Sequence, residues 1–399
     1  MTYITKSMVG KEESGMELNF SNYEPTNGGI TAREIRQQPH MWQETVSILE
    51  EKLPKITAFM TDALQHENLK VMFVGAGSSA FCAELVSPGI NKYLGFHTQA
   101  TGTTDIVASP DSVLKRKIPT MMVSFGRSGN SPESVAAVEY ARTKVDLLYE
   151  VVVTCAKDGK LAVDTGDGDR RLSIILPDAT NDEGFAMTSS LTSMALAAYG
   201  IFAFDQFDIY KEEVSCLASI IEEQMQSLAD QGKLIAETFE FDRVAFLGCG
   251  ALRGAAHEAT VKMCELTTGN VNVVHDSSLG FRHGPKFMIK DNTYTVHLLS
   301  DDPLTRTYDL DFLKEVIRFK DKNKCIVLTS AATGLEGIDH EVVYGKQPKN
   351  DFFLGIAYIV FAQLFAFFTS QKLGVNTDSP SADGAVNRVV QGVTIHPLS

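Results

Sequence analysis

The chain carries a duplication. Residues 71–90 read VMFVGAGSSAFCAELVSPGI and residues 244–263 read VAFLGCGALRGAAHEATVKM: each is a short apolar strand, then G-x-G, then a small-residue helical segment. Gly75 and Gly248 open the two turns and stand 173 positions apart. A unit recurring at that spacing implies two similar domains. Within each copy, apolar runs alternate with helical stretches. The first copy offers VMFVGAG, TMMVSFG, YEVVVTCA and LSIILPDA, the second VAFLGCG, YTVHLLS and KCIVLTS. Continuous Val/Ile/Leu runs suit strands buried on both faces of a parallel sheet with right-handed crossovers. The expected fold is α/β: two tandem domains, each a parallel sheet flanked by helices in an α-β-α sandwich. Residues 1–50 read as an arm and a helix from about Thr31, 51–213 as the first domain, and 214–399 as the second with a tail reaching the site. Residues 207–242 are charged with a helical apolar period and join the copies.

One stretch competes with a soluble reading. FFLGIAYIVFAQLFAFF, 352–368, is 17 residues long, lies between Asp351 and Thr369, and contains Gln363. That length is marginal for a bilayer, and a central helix buried on all sides fits it better, so no membrane role is expected. A net charge of −14 leaves no phosphate-neutralising excess for nucleic acid, although a small phosphorylated ligand needs only a local positive site. No basic helix-turn-helix is present, which disfavours a repressor. The six cysteines are scattered without a C-x-x-C pair, and MTYITKSMVGKEES lacks an apolar segment for export. Both features point to reduced thiols in the cytoplasm.

Three loops follow strands of the first copy: GAGSS, SFGRSGNS and PDATNDEGFAMTSS. In open parallel sheets, ligands bind beyond the carboxyl ends of the strands. In MMVSFGRSGNSPES, 121–134, Ser131 followed by Pro132 marks a helix start, so a glycine-rich turn would aim backbone N–H groups and a positive helix end at one point. Ser78, Ser79, Ser128, Ser131, Thr188, Ser189 and Ser190 could converge there around an anion, and the pattern predicts a phosphate site. The rival is a dinucleotide site, but the third glycine position is Ala80 and no acidic residue closes a second strand to hold a ribose.

His283 lies in GFRHGPKFMI, between Arg282 and a Gly-Pro turn; it reads either as a surface histidine or as a proton-transfer group near neutrality. Glu258, Lys262 and Glu265 fall at i, i+4 and i+7, which on spacing alone reads as a solvated, ion-paired helix face. No nucleophile elbow, zinc motif or Walker loop occurs, and the nine histidines show no metal spacing, so neither metal nor cofactor is expected.

The duplication, the G-x-G-S-S and S-G-N-S loops, and the E-L-T…H-G-P segment together resemble the sugar isomerase (SIS) domain family. The likeness runs from about Thr31 to the end and tightens in SFGRSGNSPESVAAVE, GFAMTSSLTSM, GFRHGPK, TRTYDLD and NRVVQGVTIHP. It implies tandem SIS domains that bind a phosphosugar through Ser/Thr-rich loops, and a homodimer or higher homo-oligomer. The chain is also similar to the isomerase half of glucosamine-6-phosphate synthases. By that resemblance Ser79, Ser128 and Ser131 bind phosphate with Arg127 in the same loop. Glu265 moves the proton between C2 and C1, and His283 opens the sugar ring, from its own or a neighbouring subunit. Two departures stand out: Gly126 replaces a phosphate-binding serine, and Gln391 falls near the synthases' C-terminal active-site lysine, where it becomes a substrate-binding candidate. The glutaminase half is absent. The implied activity is conversion of galactosamine 6-phosphate to tagatose 6-phosphate and ammonia. Plain ketose/aldose isomerisation and a non-catalytic phosphosugar sensor are the alternatives.

Overall fold

The computed structural model describes residues 28–319, 323–345, 350–381, 386–390 and 392–398. Two helices open it, α1 (Gly29–Arg36) and α2 (Gln38–Ala63). The first α/β unit then runs β1 (Lys70–Gly75), α3 (Ser78–Tyr93), β2 (Thr98–Gly102), α4 (Thr103–Ala108), α5 (Pro110–Val113), β3 (Thr120–Gly126), α6 (Pro132–Lys144), β4 (Leu148–Thr154), α7 (Lys160–Thr165), β5 (Arg171–Ile175) and α8 (Ser189–Phe202). The 32-residue α9 (Phe207–Thr238) leads into the second unit. That unit comprises β6 (Arg243–Leu247), α10 (Ala251–Leu266), β7 (Asn272–Asp276), β8 (Thr293–Leu298), α11 (Pro303–Ile317), β9 (Asn323–Thr329), β10 (His340–Val343) and α12 (Asp351–Lys372). The cuts expected at 50/51 and 213/214 fall inside α2 and α9, both continuous helices.

The two sheets repeat one topology. The first has the order β2-β1-β3-β4-β5 and the second β10-β9-β8-β6-β7, every pairing parallel. Counted from its own first strand, each sheet is therefore 2-1-3-4-5. The duplication extends to backbone angles: Gly77 has φ 58°, ψ −133° and Gly250 has φ 58°, ψ −128°, a conformation that favours glycine. The preceding glycines allow the strand to enter its helix closely. A methyl on Gly75 would lie 2.5 Å from Ser79 Cβ, and one on Gly248 would lie 2.4 Å from the Leu252 carbonyl oxygen.

The apolar run that resembled a membrane span is α12, long and apolar enough to cross a bilayer, yet Asp351–Ser370 is buried throughout, against α9 and α10. Its side chains join α8, α9 and both sheets in one core. Helix α10 packs against α12 and α3, which brings the second unit's helix against the helix that follows the first unit's G-x-G turn.

Candidate active site

In a 2-1-3-4-5 sheet the chain leaves β1 toward one edge and β3 toward the other, so a crevice opens between their carboxyl ends. Both hydroxyl-bearing turns stand at this point, because β1 and β3 are paired neighbours. Helix α3 begins at Ser78 and α6 at Pro132, with Ser131 as its N-cap residue. The crevice is a cavity of about 270 Å³. Ser78, Ser79, Arg127, Ser128, Ser131 and Glu265 all line it, so six of the ten expected site residues meet in one place.

The hydroxyls differ in what they already do. Ser131 occupies the cap position but its side chain makes no capping bond; its carbonyl accepts from Ser134 and Val135 instead. That hydroxyl is available to a ligand. Ser128 Oγ accepts from the Asn130 N–H at 3.3 Å. Gly126 also lines the cavity, and a side chain there would crowd Gly129 Cα at 3.2 Å, which accounts locally for a glycine in place of serine. Arg127 is buried and donates to the carbonyls of Phe185 (3.2 Å) and Arg388 (2.8 Å). Burial pushes its pKa down from the ordinary value, Arg388 adds to that, and Asp182 and Glu265 oppose it. It contributes positive charge to the wall and clamps residues 386–390, which cover one side of the cavity. Arg388 in turn donates to the Asp182 carbonyl, and further along Ile395 and Leu398 pack on the first unit.

Glu265 arrives on α10, and here the structure corrects the spacing argument. Glu258 and Lys262 are fully buried, not solvated. Lys262 Nζ lies 2.5 Å from Glu265 Oε2 and 3.4 Å from Glu258 Oε1, and Ser78 Oγ donates to the same Glu258 oxygen at 3.3 Å. Spacing of i, i+4 and i+7 reports a shared face; it does not say what the face meets, and this one meets α3 and α12. Burial raises the Glu258 pKa to about 7, against the pull of Lys262. Burial works against the charge on Lys262 as well, but the two carboxylates outweigh it and the net shift is upward. Glu265, the partly exposed member, presents its carboxylate to the cavity while Lys262 fixes it from behind. Gly254, Ala255, Ala256 and Ala259 were the available signal, since small residues crowd this helix where a solvated face would carry long polar ones.

Thr188 and Ser189 are the second correction. They do not line the cavity. Both are fully buried, and their hydroxyls donate to Asp182 at 3.1 and 2.6 Å, with Ser190 doing the same at 2.5 Å. The hydroxyls satisfy a buried carboxylate that would otherwise be costly. The same loop gives the cavity Phe185 and Met187, which sequence reasoning missed, and Glu34 of α1 supports it by accepting from Glu183 and Gly184 N–H groups. His283 does not join the cavity either. It is exposed on the loop after β7, the loop that also carries Phe287, which is 83% exposed, while Arg282 and Lys286 pair with Glu315. Gln391 lies outside the described residues.

The second unit does not repeat the site. Ala251 and Leu252 stand where Ser78 and Ser79 stand in the first. Asp302, just before Pro303, caps α11 with its own carboxylate. Lys92, 173 positions before Glu265, reaches across from α3 to Asp302 at 3.0 Å. The equivalent helix end is thus filled by an internal anion and its counter-ion, leaving one such site per chain among the described residues.

Comparison with known proteins agrees with this architecture. Residues 63–203 match the SIS domain family. The chain is 36% identical over 386 residues to the D-galactosamine-6-phosphate deaminase AgaS of Escherichia coli, covering 96% of this chain and 99% of that one. It is 38% identical to the protein of the same name from Shewanella sp. (strain ANA-3), with 97% of each covered. The crystal structure of tagatose-6-phosphate ketose/aldose isomerase from Escherichia coli superposes with a TM-score of 0.85 at 33% identity, covering 94% of this chain and 99% of that one.

Proposed function

The chain belongs to the SIS-domain family that includes the AgaS D-galactosamine-6-phosphate deaminases, and from that premise we propose that it converts D-galactosamine 6-phosphate and water into D-tagatose 6-phosphate and ammonia. The observation that carries the reading is the carboxylate of Glu265, braced by buried Lys262, in the same cavity as the hydroxyl turns that begin α3 and α6.

In this reading the substrate phosphate sits on Ser79, Ser128 and Ser131 at the two helix starts, which favour an anion. The clamp supplies binding energy remote from the reacting carbons. Opened to its aldehyde, the sugar offers the C2 proton to Glu265. Removal gives an enolamine, and return of a proton to C1 leaves an imine at C2. Water adds to that imine, ammonia departs, and the ketose remains. A positioned acid/base group is worth about 10²–10⁴-fold in such a step. Ring opening falls to His283. Its exposure, outside the cavity and on a loop that also exposes Phe287, supports delivery from a second copy of the chain in a homo-oligomer. All six cysteines are unbridged, which supports placing the protein in the reducing cytoplasm.

A second reading, isomerisation of tagatose 6-phosphate without loss of nitrogen, draws on the isomerase name of the superposable crystal structure. Incubating pure protein with galactosamine 6-phosphate and measuring both products separates them. One ammonia per tagatose 6-phosphate is expected. Interconversion of tagatose and galactose 6-phosphates with no ammonia would establish the second reading instead.

A further inference from the structure

Between α3 and α10, on the side of the edge strands β2 and β7, lies a second cleft of about 580 Å³, roughly twice the volume of the cavity at Glu265. Arg253, His257, His275 and Glu84 line it, together with the bare backbone of Gly250 and Gly254. His257 Nδ1 lies 2.8 Å from Glu84 Oε2. The His257 ring is stacked against His275, with centroids 3.8 Å apart and planes 16° apart, and its other side meets Phe81 at 3.7 Å. Arg253, one turn earlier on α10, has no salt-bridge partner among the described residues. One carboxylate thus faces three nitrogen-bearing side chains, and the one permanent cation among them is uncompensated. Burial, reinforced by His257, holds the His275 pKa down to about 4. Two imidazoles in face-to-face contact repel when both are charged, and an anion placed over them relieves that repulsion. The proposed reaction uses none of these residues.

We infer that this cleft is a second anion site, taking the phosphate of a small phosphorylated ligand on Arg253, His257 and His275. The ligand would bear on the cavity through both helices that build it. His257 is followed in the chain by Glu258, which Ser78 and Lys262 contact, and Glu84 lies on the helix that begins at Ser78. Such an occupant is an effector, bound at the seam of the two units.

Calorimetric titration of the full chain with inorganic phosphate tests this. Two binding events per chain are expected. The R253A/H275A pair should weaken one by at least about tenfold, the loss of two charge-assisted bonds, and leave the other within a few-fold. S128A/S131A should weaken the other. Arg253 is exposed, so R253E alone gives a variant expected to fold, and it should abolish the same event. Repeating the titration with galactosamine 6-phosphate on the Glu265→Gln variant, which should bind it without turnover, identifies the source: tighter binding at the cleft assigns it a phosphosugar, and equal binding assigns it free phosphate. A single phosphate event that R253E leaves unchanged, or two unchanged events in R253A/H275A and in R253E, overturns the site.

Discussion

Lys262 is fully buried between the buried Glu258 and the partly exposed Glu265, and this is the kind of arrangement in which removing a buried partner costs more than the pair contributes. The serines sort by a simpler rule, namely whether the hydroxyl already donates its proton: Ser189 gives its own to Asp182, whereas Ser128 only accepts, from Asn130, and Ser131 makes no cap bond. Ser128→Ala and Ser131→Ala should each weaken phosphosugar binding by about 0.5–3 kcal/mol, the span from an ordinary to a charge-assisted hydrogen bond. Because the Ser131 side chain makes no cap bond, its variant should lose affinity without losing stability. Ser189→Ala should do the reverse, keeping affinity within a few-fold while destabilising the fold by about 1–3 kcal/mol as Asp182 loses a donor. Calorimetry and denaturant unfolding on the same samples check both, and loss of affinity in Ser189→Ala alone would return that loop to the site. The sequence could not sort these residues, since a hydroxyl-rich run looks the same whether it faces a ligand or an interior carboxylate; Asp182, in the same loop, was the cue.

At the level of elements, the buried strands and the apolar edge strand β5 were legible, and the three polar edge strands were not. β1, β3, β4 and β8 are apolar and nearly all buried, so their runs announce themselves. β2 (TQATG), β7 (NVVHD) and β10 (HEVV) are short, polar and half-exposed at or beside the sheet margins, and no apolar run marks them. Helices α3 and α10 cross with their backbones nearly in contact. A methyl on Gly254 would lie 2.3 Å from the Leu85 backbone nitrogen. Gly254→Ala should therefore cost about 1–3 kcal/mol, the usual size of overpacking, and should lower turnover as well, because the helix it displaces carries Glu265. Unchanged stability and rate would show that the crossing can relax freely.

Across the whole molecule, the duplication supplies two scaffolds and the pairing of α3 with α10 turns them into one site. The resemblance stated from five irregular motifs carried more of that outcome than spacing did, since spacing read Glu258, Lys262 and Glu265 as solvent-facing. One global property follows from a residue outside the site. His297 on β8 is fully buried, and neither ring nitrogen has a hydrogen-bond partner among the described residues. Burial holds its pKa down to about 3, against an ordinary 6.5. The unfolded chain therefore binds a proton that the folded chain refuses. The associated stability is present above about pH 6.5 and drains away as the pH falls toward 3, on the order of a few kcal/mol in all. His297→Leu should flatten that part of the unfolding-versus-pH curve; an unchanged acid limb would place the sensitivity elsewhere.

The role proposed for Glu265 is to move the proton between C2 and C1 in the cavity between the two hydroxyl turns. Reaction in heavy water tests it most directly, with wild-type protein and the near-isosteric Glu265→Gln variant each given galactosamine 6-phosphate. Wild-type product should carry deuterium at C1, and recovered substrate should show exchange at C2. Glu265→Gln should bind the sugar phosphate within a few-fold of wild type and show neither label, its turnover falling by at least about a hundredfold. Label entering C1 in that variant at more than about a tenth of the wild-type rate would contradict the assignment, given the size of an acid/base contribution.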